Sequence, residues 1–417
     1  MSGEERWMLP LAGFLMCMFL GVIYSWSVLR IPVETELGWG PAMSSLPFAI
    51  FLLTFSIFTP VSGRLTREMG YRWASIMGSL ICGLGWLIAS LAVVAPWSLL
   101  LSASVAGAGT GILYLIPFAV VGRRMGDYRG LGVGVVAMGF GISPVIFAPL
   151  IRLMIAKAGL SATFLWLGTV EIVGLPLLSS ILTSLDQGEQ IPSAGTREIL
   201  RRREFWLLWV SLALGTVGGL LAISLSAKYG EEVVGLDPSA ASLATSLFAV
   251  LNGAGGPVLG LVCDRAGVKS GAAASFLLSA ISAVLASKAG SLPLYLLSFS
   301  LLWFTFGSWF AIFPLATSEF LSPEDFDHAY GLVFTAYGSG ALLSLAMNYV
   351  GMSWSFSDAF LAILAFSLAG LLIFLRLGRK SSNISAGDVR MEPRGVAAKH
   401  SGLWSPRRRF ESGRGYQ

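Results

Sequence analysis

The sequence predicts an all-α polytopic membrane protein: twelve transmembrane helices in two six-helix bundles, with both termini in the cytoplasm. Three observations lead there. Charge is scarce, apolar runs of spanning length recur along the chain, and one loop pattern returns at the same place in each half. Lys and Arg number 28 and Asp and Glu 23 in 417 residues, so 12% are charged, against about 25% in soluble domains. The hydrophobic fraction is 55% and the mean hydropathy is +0.75. A soluble enzyme of this length would not stay in solution with so little charge. The disordered, collagen-like and disulfide-rich secreted classes are excluded as well. Cys17, Cys82 and Cys263 each lie in an apolar run and read as small core residues, not as a disulfide framework or a metal site.

The net charge of +5 does not point to nucleic acid. From Arg376 onward ten basic and three acidic residues give +7, and the preceding 375 residues carry −2. The positive charge belongs to a tail.

A spanning helix needs roughly 20 mostly apolar residues. Twelve such segments occur, at 8–29, 43–63, 73–94, 98–122, 131–151, 161–184, 206–227, 241–263, 271–289, 292–316, 329–350 and 358–377. The first is long enough to span and lacks a small-residue cleavage pattern, so it reads as a span and not a removable signal. Residues 1–184 form the first bundle. Residues 185–205 form a polar central loop with Arg197, Arg201, Arg202 and Arg203, and 206–378 form the second bundle. Residues 379–417 form a basic tail, including Arg407, Arg408 and Arg409, which reads as disordered and attracted to anionic lipid. With the N-terminus inside, 23 of the 28 basic residues fall on the cytoplasmic side. That asymmetry sets the orientation.

The halves repeat. Gly63, Arg64, Arg67, Glu68, Gly70 and Arg72 follow the second span; Gly260, Asp264, Arg265, Gly267 and Lys269 follow the eighth, at an offset of 197 residues. Parallel halves suggest two bundles around a midplane cavity.

Twelve spans, a six-and-six division and this repeated loop resemble the major facilitator superfamily. Its loop signature is Gly, three residues, Asp, a basic residue, one residue, Gly, then basic residues. The resemblance implies that the acid caps and pairs with helix ends at the cytoplasmic gate. The second loop fits. In the first, Arg67 and Glu68 occupy the places of the acid and the base, which predicts a weakened or rewired latch, still able to bridge as a swapped pair but with the opposite dipole preference.

Within the superfamily the chain resembles the oxalate:formate antiporter and monocarboxylate transporter group. The resemblance lies in Gly21–Ser27 with Pro32 and Leu37-Gly38, in Gly107–Tyr114, and in Arg129-Gly130-Leu131 with Gly139, Phe140, Gly141 and Pro144. It continues in Glu204-Phe205-Trp206, Phe313-Pro314 and Tyr330-Gly331. Oxalate-type members carry an Arg in span 8 and a Lys in span 11. By this resemblance the corresponding positions hold Gly256 and Tyr337. An unpaired buried carboxylate costs several kcal/mol, so a cavity without both cations is a poor site for a dianion. The aromatic lining stays polar at Tyr24 and Tyr114 and turns apolar at Phe140, Phe306, Phe310 and Phe334. This favours a less charged solute, or a weak acid carried protonated.

The substrate-binding candidates are therefore Tyr24, Tyr114, Phe140, Asn252, Phe306, Phe310, Phe334 and Tyr337, with Trp26 a further aromatic. Asn252 and Asn348 either contact solute or bond across helices. Glu171 is the only carboxylate near the middle of a span. Such acids are candidate proton carriers; the alternative is a protonated acid packed against a neighbouring helix. Arg30, Arg152 and Lys228, at outer span ends, either draw an anion inward or snorkel to the interface. The glycines at 107, 109, 111, 130, 132, 134, 139 and 141 follow no soluble strand, so they read as sites of close helix approach and not as a dinucleotide loop.

His328 and His400 are the two histidines, and no metal cluster, cofactor motif or catalytic triad accompanies them. The sequence therefore predicts a secondary active transporter of a small organic anion, monocarboxylate-like by resemblance, working by proton symport or anion exchange. It is expected to be a monomeric multi-pass protein of the plasma membrane whose partners are a small solute and the bilayer. The alternative is an exporter of apolar drug-like or metabolite solutes; an integral-membrane enzyme is disfavoured because no clustered His, Asp or Cys appears.

Overall fold

The computed structural model describes residues 3–184, 195–321, 326–350 and 355–378. The helices are α1 (Gly3–Leu20), α2 (Trp26–Leu37), α3 (Pro41–Ala89), α4 (Ser98–Arg124), α5 (Arg129–Ser184), α6 (Thr196–Arg201), α7 (Arg203–Glu232), α8 (Pro238–Ala266), α9 (Val268–Ala286), α10 (Leu292–Phe320), α11 (Phe326–Val350) and α12 (Phe356–Leu375). Ten stretches among the described residues are helical, long and apolar enough to cross a membrane. The tail, His400 and residues 185–194 of the central loop lie outside the described residues, as does the side chain of Asn348.

Two helices are too long to cross once. α3 has 49 residues and α5 has 56. At 1.5 Å per residue each would exceed twice the roughly 30 Å of a hydrocarbon core. Each is in fact two helices joined at a kink, at Gly70 (φ 78°, ψ 163°) and Gly159 (φ 81°, ψ 177°). An L side chain is strained at such φ, so glycine is what lets the chain turn there.

The internal repeat is written into the backbone as well. Gly267, the equivalent of Gly70 at the offset of 197, has φ 85° and ψ 157°. Gly38 and Gly235, again 197 apart, have φ 66° and 78°. Helix starts follow ordinary capping chemistry. Asp237 accepts from the N–H groups of Ser239 and Ala240 ahead of α8, and Ser355 with Asp358 forms a capping box for α12.

The first span differs from the uninterrupted 8–29 helix read from sequence. It continues to Leu37, and a tight 3₁₀ turn over Gly21–Ser25 separates α1 from α2. Mid-helix 3₁₀ segments commonly mark functional hinges. Here the turn carries Tyr24 and packs against α5, where Gly21 faces the Phe140 carbonyl and Ser143.

The two halves meet along two seams. α5 runs against α8, and α11 runs against the first part of α3. Gly130 and Gly134 on α5 face Gly260 and Gly256 on α8, with backbone against backbone and no room for a Cβ at any of the four. Two Gly-x-x-x-Gly pairs thus make the crossing; such small-residue spacing lets helices approach closely where the surrounding lipid supplies no hydrophobic drive.

Candidate functional site

A cluster of aromatic rings fills the centre where the halves meet. Tyr24 comes from the 3₁₀ turn, Phe55 from α3, Tyr114 and Phe118 from α4, and Phe140 from α5. Phe310 comes from α10, and Tyr330, Phe334 and Tyr337 from α11. All are buried except Tyr24, which is half-buried. Phe55 is the hub: its ring centroid lies 5.1 Å from Tyr114, 5.8 Å from Phe140, 5.1 Å from Phe334 and 6.1 Å from Tyr337. Tyr114 and Phe334 meet across the halves at 4.7 Å, and Phe140 and Phe310 at 6.5 Å. Offset and edge-on ring pairs of this kind add about 0.5–1.5 kcal/mol each beyond burial.

One polar contact crosses the middle of this cluster. The Tyr24 and Tyr337 hydroxyls form a hydrogen bond of 2.6 Å, linking residues 313 positions apart. One phenol donates and the other accepts. Of the eight substrate-binding candidates, Tyr24, Tyr114, Phe140, Phe310, Phe334 and Tyr337 come together here. Phe306 sits at the edge, 5.5 Å from Phe310 and packed over Gly219 of α7. Asn252 is buried where α8 crosses α5 and α10, against Gly141 and Gly307. Sequence reasoning missed Phe55, Phe118 and Tyr330. Phe55 and Phe118 belong to aromatic-rich runs with nothing to mark them out, and Tyr330 served only as an anchor of the resemblance.

Trp26 and the charged candidates go elsewhere. Trp26 donates to the Ser44 carbonyl at 2.8 Å, pinning α2 to the start of α3. Arg30 donates to Glu34 at 2.7 Å and to Ser44 Oγ at 3.3 Å. Its charge is thus balanced by its own helix. Lys228 faces Glu232 at 3.8 Å and lies 5.8 Å from the Phe356 ring centre. Arg152 is exposed. Glu171, 1% exposed, lies inside the first half, where the Cys82 thiol donates to it at 3.1 Å and in turn sits 3.3 Å from Thr110 Oγ1. Thr110 is one helical turn from Tyr114 on α4. Among the described residues, no group of three or more His, Cys, Asp and Glu side chains is placed to hold a metal ion.

Gly256 takes on a second meaning. A Cβ there would stand 2.8 Å from the Gly134 carbonyl oxygen and 3.3 Å from Ala137 Cβ. The position is occupied by a helix crossing, so a long cation has no place in this arrangement whatever the solute.

At the end of the bundle that bears the 63–72 and 260–269 loops, Asp264 accepts from the N–H groups of Gly130 (2.6 Å) and Leu131 (2.9 Å). A carboxylate from α8 thus caps the start of α5, where the helix dipole favours negative charge. Arg265 and Arg72 are exposed, and Lys269 donates to the Leu377 carbonyl. The first loop does not bridge through Arg67 and Glu68 as a swapped pair. Glu68 pairs with Arg64 at 2.7 Å on its own helix, since i and i+4 side chains share a face, and Arg67 donates to the Gly63 carbonyl at 3.0 Å. Both members of the Arg64–Glu68 pair are mostly exposed, so it contributes little. The contact with α11 is made by other residues: Gly63 lies against the backbone of Asp327 and His328, and Tyr71 donates to Asp327. His328 is also within 2.8 Å of Thr196, at the start of α6.

The chain resembles known proteins in sequence and in fold. The chain is 28% identical to the oxalate:formate antiporter of Oxalobacter formigenes over 391 residues, covering 90% of this chain and 93% of that one. It is 25% identical over 203 residues to monocarboxylate transporter 14 of Homo sapiens, covering 48% and 39%. Among solved structures it resembles the transporter FucP in an outward conformation, with a TM-score of 0.69 and 16% identity over 90% of this chain and 100% of that one. A bacterial homologue of the iron transporter ferroportin gives a TM-score of 0.71 at 16% identity, over 90% and 99%. The family model for the Major Facilitator Superfamily matches residues 11–237 and 211–409. With two helical halves repeated at a fixed offset and rings closing the seam between them, the chain belongs to the Major Facilitator Superfamily.

Proposed function

We propose that this chain is a secondary active transporter of a small monocarboxylate-like organic acid, working by alternating access of a site between its halves. Divided at Gly70 and Gly159, the ten apolar stretches become twelve spans in two bundles, 1–184 and 206–378. They are joined by the 185–205 loop and followed by the 379–417 tail, with both termini cytoplasmic in the plasma membrane. The solute binds as a monomeric protein's cargo, by proton symport or by exchange for another anion.

The observation that carries this reading is the Tyr24–Tyr337 hydrogen bond inside the ring cluster. A solute carboxyl that enters between these hydroxyls accepts from both and replaces one of the bonds that join the halves. Solute occupancy and the separation of the halves are thereby linked. A dianion finds no compensating cation among Tyr24, Tyr114, Phe140, Phe310, Phe334 and Tyr337, and burying it unpaired costs several kcal/mol. A monoanion or a neutral acid is tolerated better. The relative named oxalate:formate antiporter supports the organic-acid class.

Uptake of labelled monocarboxylates into proteoliposomes, with and without an imposed pH gradient, tests the proposal. Saturable uptake is expected; none for any monocarboxylate would overturn the substrate class. Tyr24→Phe keeps the ring and removes one hydroxyl, so apparent affinity is expected to fall about fivefold, the value of one hydrogen bond. Glu171 is proposed as the proton-coupling group, because Cys82 and Thr110 link it towards Tyr114. Glu171→Gln is then expected to abolish stimulation by a pH gradient while counterflow exchange persists. Undiminished stimulation would reject that role.

A second reading, an exporter of apolar solutes, draws on the same ring cluster. Competition by hydrophobic compounds in place of lactate-like acids would favour it.

A further inference from the structure

We propose that Tyr71, Arg123 and Asp327 form the gate latch of the first half, with the latch carboxylate transferred from the loop to α11. The inference rests on the alternating-access reading above. Its warrant is the comparison of two contacts related by the offset of 197 residues. Gly260 lies against the Gly130 backbone in one and Gly63 against the Asp327 backbone in the other. Position 264 corresponds to 67, and position 130 to 327. In the second-half contact the acid stands on the loop, as Asp264, and faces glycine at the helix start. In the first-half contact the loop position holds Arg67, and the acid stands at the helix start as Asp327.

With the acid moved, the donor has to come from the other side, and it does. Tyr71, one residue past the Gly70 turn, donates its hydroxyl to Asp327 Oδ2. Arg123, at the end of α4, donates to that same hydroxyl at 2.7 Å, and its guanidinium lies 4.8 Å from the Tyr71 ring centre. A guanidinium, a phenol and a carboxylate thus form a line from α4 through the loop to α11. A hydrogen bond to a charged group is stronger than a neutral one, and this line crosses from one half to the other. Arg67 is occupied by the Gly63 carbonyl and is not needed. Nearby, Thr59 Oγ1 donates to the Ser56 carbonyl at 2.7 Å and lies 3.2 Å from the Gly331 carbonyl across the same seam, and Thr59 is fully buried.

The test uses the full chain in detergent, with Cys17, Cys82 and Cys263 replaced by alanine and a reporter thiol introduced by Thr59→Cys. The rate of alkylation by N-ethylmaleimide reads how often the seam opens. Asp264→Asn, Tyr71→Phe, Arg123→Gln and Asp327→Asn are each expected to raise that rate about fivefold or more. The double variant Arg67→Asp/Asp327→Asn returns the acid to the loop and is expected to restore protection lost in Asp327→Asn. A purely structural defect would not be rescued in this way. If Asp264→Asn raises the rate while Tyr71→Phe and Arg123→Gln leave it within about twofold of the parent, the latch is overturned and alternating access stands. If the double variant is as reactive as Asp327→Asn, the transfer of the acid is overturned. If no variant changes the rate, the gate reading fails together with the latch.

Discussion

Gly256→Leu is expected to reduce transport by at least about tenfold, the cost of overpacking a close crossing. A Cβ at 256 already meets the Gly134 carbonyl oxygen at 2.8 Å. That oxygen belongs to a helix backbone and cannot rotate away as a side chain would. The α5–α8 crossing must open to admit the larger residue, and Asp264 then loses its alignment with the N–H groups of Gly130 and Leu131. Gly253→Ala, one turn along the same helix, is the control: its Cβ would meet Ile142 and Met138 at an ordinary 3.4 Å. Proteoliposome uptake and elution profile, measured on both variants, check the expectation. Unaltered uptake in Gly256→Leu would mean that the crossing is not required for transport.

Tyr337→Lys is expected to lower the melting temperature of the solute-free protein by about 5 °C or more. The variant is also expected to be stabilised by millimolar oxalate, as the parent is not. Tyr337 is fully buried, stacks on Phe334 at 5.1 Å and holds the hydrogen bond to Tyr24. A lysine there loses the stacking and buries a cation without a partner, which is strongly unfavourable. A dianion supplies the missing charge, so its binding should recover stability by mass action. Thermal-shift curves with and without oxalate decide the matter. Equal stabilisation of the parent would show that the ring cluster tolerates a dianion unaided.

These two positions mark where sequence reasoning reached and where it stopped. The resemblance singled out Gly256 and Tyr337 as missing cations, and one inference served both. The structure separates them. Tyr337 stands in the ring cluster with a polar partner from the other half, whereas Gly256 is spent on a helix crossing. Spacing along α8 did not reveal that, because the constraint comes from Gly134 on another helix. Phe55, the hub of the cluster, was equally hidden; its importance comes from four rings contributed by α4, α5 and α11.

Composition and spacing determined the membrane class, the positions of the apolar segments and the repeated halves, and the motif residues carried the family resemblance. All of these are local properties: a segment of about 20 apolar residues needs no partner to declare itself, and a glycine turn keeps its place in both copies of a repeat. The tertiary structure decided which rings meet, that Arg30 and Lys228 are balanced by carboxylates on their own helices, and that Arg67 and Glu68 do not bridge the halves. It also placed Asp327 against the first loop, where the position equivalent to Asp264 holds Arg67. Contacts such as Tyr24 with Tyr337, 313 residues apart, exist only once the helices have packed, and no local pattern encodes which faces will oppose each other.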